Sequence, residues 1–390
     1  MSHAATVTCP ICGAGSPLRA LEHEGVATNC VQLWSTAAEA RAVPRGTLRI
    51  ECCTRCGHLW NSAFDPSRVV YTPEYDASLH FSPRFQRYVE ELVARLVAEL
   101  PLRGRHLLEI GCGKGEFLDL LCRRGGCRGV GFDTSFSGAL PADAAWTVER
   151  RAFSAAERGL SADLVASRHV LEHIEDPLAF VEAMRATLER SALGALFLEV
   201  PNGEWILRDL GIWDVIYEHV SIFTPLSLHA LLHRAGLGVR WMESAFEGQY
   251  LRALALREDR AHAAPPTAAL EDQLALVERF GATYRAKIAD WGRRLEALAR
   301  AGRRAALWGA GAKGSTFLAL VQPLDAIHHV IDIHPRKVGR HVPITGHRVE
   351  APEALRGSGV DAILVMNPAY AQEIRASARE LGLRAEILAI

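Results

Sequence analysis

The sequence predicts an α/β protein with two glycine-loop units behind a cysteine-rich N-terminal segment. Three observations point there. From residue 83 onward, apolar strand-like runs alternate with runs of helical period. Two glycine clusters, "EIGCGKGEF" (109–117) and "WGAGAKGST" (308–316), each lie between such a strand and such a helix. Ahead of both, Cys9, Cys12, Cys53 and Cys56 form two C-x2-C pairs.

Composition sets outer bounds. A chain of 390 residues is long enough for two or three domains. Hydrophobic content of 49% and charged content of 23% are those of a soluble globular protein. A net charge of −1 offers no global field for nucleic acid or membrane. No apolar stretch reaches the roughly 20 residues that span a bilayer. The N-terminus lacks the basic-then-apolar order of a signal peptide. Nine cysteines, an odd count spread over a long chain, do not read as a secreted disulfide framework. The expectation is a cytoplasmic protein with no membrane or nucleic-acid partner. Monomer and homodimer are both compatible with the sequence.

Taken in chain order, residues 1–70 are cysteine-rich, with short strands such as "TLRIECC". Residues 71–256 form the first α/β unit. It opens on a helix over 83–100, whose Phe85, Tyr88, Val89, Leu92, Val93 and Leu96 share one face. "RHLLEIG", "CRGVGFD", "ADLVASR" and "GALFLEVPN" follow as strands, with "GEFLDLLCRRG" as a helix. Such alternation is the mark of a parallel sheet with helices on its faces. Residues 257–300 are a linker and a long amphipathic helix. Residues 301–390 repeat the strand–loop–helix pattern, with "HHVIDIHP" and "VDAILVMNP" as further strands.

The two cysteine pairs, about forty residues apart, have the spacing of a tetrahedral four-thiolate zinc site. Four protein ligands leave no open position, so such a zinc is structural. Cys30 and Cys52 are spare. The surroundings lack the basic charge and interleaved aromatics of a nucleic-acid-binding ribbon.

Gly111, Gly113 and Gly115 end a strand and open a helix, which lets a ligand approach the backbone closely. No Gly-Lys-Ser/Thr follows, so this is not a P-loop. Glu109 stands two residues upstream, and Asp133 ends the next strand, where an acid commonly holds ribose hydroxyls. "E-x-G-x-G-x-G" with that later acid resembles the class I S-adenosylmethionine-dependent methyltransferases.

Polar residues then cluster at strand ends. "SRHVLEHIEDP" holds His169 and His173, four apart, each an imidazole able to act as a general base near neutral pH. "LEVPNGEW" puts Asn202 after a strand. "DVIYEHVSIFTP" gathers Tyr217, Glu218 and His219; in an extended segment Glu218 and His219 face opposite sides. "VYTPEYDASLHFSPRFQRY" (70–88), with Tyr71, Tyr75, His80 and Ser82, is a candidate lid.

The second loop, Gly309-x-Gly311-x-x-Gly314, fits the dinucleotide fingerprint, with Asp332 eighteen residues later as the ribose acid. Lys313 adds charge suited to phosphate. The loop fits either NAD or the pyrophosphate of a nucleotide-linked substrate.

Together these features resemble the zinc-containing C-methyltransferases of TDP-linked keto-deoxysugars, over nearly the whole chain. "D-x-x-P-x-K-x-G-R", ending in Lys337 and Arg340, strengthens the likeness. The resemblance implies an N-terminal zinc-binding domain, a class I methyltransferase Rossmann-like core and a C-terminal Rossmann-like nucleotide-sugar domain. It implies S-adenosylmethionine on Glu109, Gly111, Gly113, Gly115, Asp133 and His169. It implies a nucleotide-linked sugar on Asn202, Gly309, Gly311, Lys313, Gly314, Lys337 and Arg340, and zinc on Cys9, Cys12, Cys53 and Cys56. Catalysis would fall to His219 as base, with His173, Glu218, Tyr217 and Tyr75 assisting. The pocket departs from the family pattern in three places. Tyr217 directly precedes Glu218, Ile222 stands where a tyrosine is common, and His169 stands where asparagine is usual. Other readings are O- or N-methylation of a small metabolite, an NAD-dependent oxidoreductase using the second loop, and a zinc-ribbon binding protein with the core as scaffold.

Overall fold

The structure, a computed structural model of the chain, describes residues 7–69, 78–137, 139–154, 157, 159–257 and 267–390. Among the described residues the chain builds three sheets. In the first, β1 (Leu18–Ala27) and β2 (Arg45–Cys52) pair antiparallel, with α1 (Ala37–Arg41) on the connection. β3 (Leu59–Asn61) adds to β2. The helix α2 (Pro83–Glu99) begins where the Ser82 hydroxyl accepts the Phe85 N–H and a proline takes the first position. It buries the six residues that the periodicity singles out.

The second sheet comes from β4 (His106–Ile110), α3 (Glu116–Gly125), β5 (Arg128–Phe132), β6 (Trp146–Glu149), β7 (Leu164–Arg168), α4 (Pro177–Thr187) and β8 (Ala195–Pro201). After α5 (Gly203–Arg208), a two-residue strand β9 (Ser221–Ile222) leaves this unit and pairs with β3 in the first sheet. Then α6 (Pro225–Arg234) leads to β10 (Gly238–Ala245) and β11 (Tyr250–Leu256), a hairpin that returns antiparallel along β8. The strand order is β6-β5-β4-β7-β8-β11-β10, with β4 to β8 parallel to one another. The chain direction of assembly reverses beside β4, so a crevice opens at the carboxyl end of that strand.

The helix α7 (Thr267–Arg300) is 34 residues long. It lies against the first sheet so closely that a Cβ at Gly281 would sit 2.0 Å from the Ala20 carbonyl oxygen. Its buried Phe280, Tyr284 and Trp291 join Leu48 and Ile50 of the first sheet and Phe317 of the third unit in one core. That unit has β12 (Ala305–Trp308), α8 (Ala312–Leu320), β13 (Ile327–Ile331), β14 (Val349–Glu350), β15 (Ala362–Val365), α9 (Ala371–Glu380) and β16 (Glu386–Ala389). Its strands are all parallel, in the order β14-β13-β12-β15-β16. β12 is its reversal point, as β4 is in the second sheet. Each glycine cluster therefore follows the one strand of its sheet where a crevice forms. Among the described residues no helix is long and apolar enough to cross a membrane.

Candidate active site

One cavity of about 930 Å³ runs from the first glycine loop to the second. It is lined at one end by Glu109, Gly111, Gly113, Asp133 and Phe153, and at the other by Gly309, Gly311, Lys313, Gly314 and Lys337. His169, His173 and His219 stand between.

At the first end, glycine serves two purposes. A Cβ at Gly111 would meet Val170 at 2.1 Å, and one at Gly115 would meet Trp146 at 2.2 Å, while Gly113 faces open space. Gly115 is the N-cap of α3, in the left-handed region, and does not line the cavity. Its role is packing, not the cofactor contact expected of it. The Asp133 carboxylate closes the loop by accepting the Gly113 N–H at 2.8 Å and the Ser135 N–H at 2.7 Å. Lys114 donates to the Ser135 carbonyl and the Ser137 hydroxyl, tying the following turn down. Burial pushes the Glu109 carboxyl up to about 8, although Arg168 pulls the other way. One Glu109 oxygen, Oε2, is buried with no hydrogen-bond partner. A buried carboxylate oxygen without a partner, facing a cavity, suits a cationic ligand group.

In the middle, Glu199 of β8 is fully buried and accepts from Arg168 Nε at 3.0 Å and Nη2 at 2.8 Å, and from the Tyr88 hydroxyl. Burial disfavours its charge, but Arg168 and His169 hold the carboxyl well below the usual range. His169 lies 3.2 Å from Glu199 and 3.7 Å from Glu172. Burial works against its charged form, yet the two carboxylates outweigh it and raise the ring to about 9. The backbone at His169 has φ 55°, which lifts the ring out of the strand line toward the cavity. The edge of its ring meets Tyr250, centroids 4.6 Å apart. His169 and His173 do not share a helix face, because the segment is a strand end followed by a 3-10 turn, Leu171–His173.

His173 Nδ1 lies 2.9 Å from the Glu218 carbonyl oxygen, so that nitrogen carries the hydrogen. His219 packs edge-on against it, centroids 4.9 Å apart. Burial lowers His173 to about 4, helped by His219, and lowers His219 to about 3, helped by His169. Both rings are neutral at physiological pH and can accept a proton.

The expected partners of this pair sit elsewhere. Tyr217 is buried, its hydroxyl accepts the Asp65 N–H at 2.8 Å, and its ring fills the space that a side chain at position 46 would need. Glu218 is fully buried and accepts the Cys30 N–H at 2.8 Å and the Val31 N–H at 3.4 Å. Burial raises its carboxyl to about 7. Neither side chain lines the cavity. Both anchor the turn to the first sheet, so that His219 and the Glu218 carbonyl face the other way. Asn202 is a cap: its side chain accepts the Glu204 N–H and donates to Ser244 and the Gly248 carbonyl, away from the cavity. Arg340 points to the Ser35 hydroxyl and also does not line the cavity. Tyr217, Glu218 and Asn202 are corrected by the same physics, since a buried polar side chain goes to the backbone groups it must satisfy, whereas Arg340 is drawn off by a side-chain partner near the surface. Tyr71 and Tyr75 lie outside the described residues. Of the other lid residues, His80 lines the cavity and Ser82 donates to Glu373 while capping α2.

At the second end, Asp332 accepts the Ala310 N–H at 2.9 Å and the His334 N–H at 2.9 Å, as Asp133 does in the first loop. Lys337 Nζ lies 3.2 Å from Asp332 and close over Gly311. Lys313 Nζ donates to Asp214 at 2.7 Å and to Gln249 at 2.8 Å. Gln249 in turn donates to Asn367, so one chain of polar contacts links the second and third sheets across the cavity. Two ammonium groups beside a glycine loop and a helix start suit a phosphate.

The sequence pointed away from several of these groups. Arg168, Glu199, Glu172, Tyr88, Tyr250, Asp214 and Gln249 were not anticipated. Arg168, Glu172, Glu199 and Asp214 lie inside the motifs "SRHVLEHIEDP", "LEVPNGEW" and "DVIYEHVSIFTP", and only tertiary contacts single them out.

Outside the cavity, Cys9 Sγ lies 3.6 Å from Cys56 Sγ, and Cys12 Sγ 3.5 Å from Cys53 Sγ. All four sulfurs fall within 4.8 Å of one another and are shielded from solvent. That donor set and spacing fit one tetrahedral zinc.

Comparison with known proteins adds the following. The family described as "Methyltransferase domain" matches residues 84–240, and "C-methyltransferase C-terminal domain" matches residues 261–385. A ubiquinone biosynthesis O-methyltransferase of Cereibacter sphaeroides is 30% identical over 178 residues, covering 38% of this chain and 69% of that protein. One from Ruegeria is 28% identical over 165 residues, covering 36% and 64%. Among solved structures, magnesium protoporphyrin IX methyltransferase from Synechocystis, with bound SAH, is 21% identical. It aligns with 45% of this chain and 84% of its own at a TM-score of 0.36. A putative methyltransferase of Haloferax volcanii is 15% identical, covering 46% and 95%, also with a TM-score of 0.36.

Proposed function

Because the chain belongs to the S-adenosylmethionine-dependent methyltransferases, we propose that it methylates the carbon next to the ketone of a nucleotide-linked keto sugar. The observation behind this reading is the continuity of the cavity. It joins a cofactor loop to a phosphate-suited loop past two neutral imidazoles. The match of residues 261–385 to a C-methyltransferase C-terminal domain supports it.

S-adenosylmethionine, when bound, supplies a methyl group on a positively charged sulfur. Glu109, Gly113 and Asp133 are the residues to hold it. Gly311, Lys313 and Lys337 would take the acceptor's phosphates, which places the sugar beside His173 and His219. His219 removes the proton from the carbon next to the ketone. The C–H electron pair moves into the carbon–carbon bond, and the carbonyl π pair moves onto oxygen, forming an enolate. The cationic ring of His169 and the hydrogen-bonding groups around it favour that negative charge. Bound S-adenosylmethionine would supply its methyl group to the enolate carbon, the C–S electron pair leaving on sulfur, and His219 would then return its proton to solvent. The four cysteines hold the zinc, which keeps the first sheet in shape and takes no part in these steps.

A second reading is O-methylation of a small metabolite. The naming of the curated relatives as O-methyltransferases favours it, although they cover only 38% and 36% of this chain.

Methyl-labelled S-adenosylmethionine and a panel of TDP- and GDP-linked 4-keto-6-deoxysugars test the proposal, with products read by mass spectrometry and NMR. Label on carbon next to the ketone is the expected result. Label on oxygen moves the assignment to the second reading, and no label on any sugar overturns the acceptor class.

A further inference from the structure

We propose that Glu172, His173 and His219 form a second metal site, for a divalent ion of the zinc or cobalt class, separate from the four cysteines. Their ligand atoms lie within 4.8 Å of one another. Two imidazoles and a carboxylate are the donor set that zinc takes when it keeps an open position.

The groups are arranged for this beyond mere proximity. The Glu218 carbonyl fixes the hydrogen of His173 on Nδ1, leaving the lone pair on Nε2. A backbone carbonyl on the outer nitrogen is how metal-bound histidines are usually oriented. Glu172 is only 2% exposed and lines the cavity, and its Oε2 is buried without a hydrogen-bond partner. Its other oxygen faces His169 at 3.7 Å. A buried carboxylate oxygen with no partner is costly to keep unless something cationic completes it.

The consequence rests on the reaction proposed above. A lone pair of His219 that binds a metal cannot accept the proton of the sugar carbon. Metal and acceptor proton compete for the same atom, so occupancy silences C-methylation.

The test uses the full chain loaded with zinc, titrated with Co²⁺ and followed by visible absorption. The expected result is one further equivalent of Co²⁺ with a d–d band but without the intense near-ultraviolet band of cobalt–thiolate bonding. Glu172→Gln and His173→Gln should each weaken that equivalent by at least about tenfold, the loss seen even when only a hydrogen-bond partner of a metal ligand is removed. Binding of S-adenosylmethionine, measured alongside, confirms that the variants are folded. No further equivalent, or one unchanged in both variants, overturns the site. Methyl transfer should fall in step with the d–d band; transfer that rises or holds steady overturns the silencing. The spectra decide the site whether or not any keto sugar is methylated, so the two readings fail separately.

Discussion

Glu109 is a carboxyl buried in the wall of the cavity, with one oxygen lacking a hydrogen-bond partner. Its usual value is 4.5, and burial raises it to about 8. The sign follows directly. Between those values the native state holds a proton that the unfolded chain has lost, so this group's stabilising contribution, complete below pH 4.5, is lost as pH rises through 8. A cationic cofactor reverses the preference and expels the proton. Affinity for S-adenosylmethionine should therefore rise with pH up to about 8, by at most about tenfold per unit, and Glu109→Gln should flatten the profile. Calorimetry in two buffers of different ionisation heat reads the released proton; no release would show that Glu109 does not face the cation. His219→Ala should cut methyl transfer roughly 10²–10⁴-fold, the usual worth of a general base, with cofactor affinity retained. A loss of cofactor affinity in that variant would instead place the ring in the cofactor site.

The two glycine loops share one construction. In each, an acid at the end of the next strand accepts a backbone N–H of the loop, Asp133 from Gly113 and Asp332 from Ala310. The glycines differ in what they permit. Gly314 has no space for a side chain, since its Cβ would sit 1.9 Å from the Gly309 carbonyl oxygen. Gly314→Ala should push α8 off β12 and cost about 1–3 kcal/mol, the range for overpacking, measured by denaturant unfolding. An unchanged midpoint would mean that the helix shifts freely. At the start of α2, Ser82 caps the helix and also donates to Glu373 on α9, which accepts the Arg84 N–H in addition. Ser82→Ala should cost about 1 kcal/mol and loosen the contact between α2 and α9.

At the scale of the molecule, the first sheet reaches the reaction centre through β9. Ser221 and Ile222 pair with Trp60 and Leu59, three residues beyond the Cys53–Cys56 knuckle, and His219 stands two residues before them. Glu218 anchors the same turn to Cys30 and Val31. A zinc ion on the four cysteines would thus act on catalysis through position alone. Stripping it with a chelator should abolish methyl transfer while S-adenosylmethionine binding, built on β4 and β5, persists. Equal loss of both would show that the whole chain depends on the metal for folding. The shared core of the first sheet, α7 and the third unit explains why a helix resembling a linker is a packing element: Phe280, Tyr284 and Trp291 are buried on both neighbours.

The antiparallel hairpin β10–β11 and the short β9 were not read from the sequence; the strands β2, β4, β5, β7, β8, β12, β13 and β15, the helices α2, α3, α7 and α8, both glycine loops and the cysteine pairs were legible in the amino-acid sequence alone. They depend on hydrophobic period and on backbone freedom within a few residues, which neighbours in the chain determine. The direction in which "VIYEHV" points its side chains was not. That segment is a turn without period, and Tyr217 and Glu218 turn toward Asp65 and Cys30, more than 150 residues away, to satisfy buried polar groups. Arg168, Tyr88 and Glu199 became a site by the same means, meeting across three elements that no short-range pattern links. Local chemistry decided what the elements are. Which side chains face the cavity was decided by long-range burial, because a charged or hydroxyl group removed from water must find its partner wherever the fold brings one.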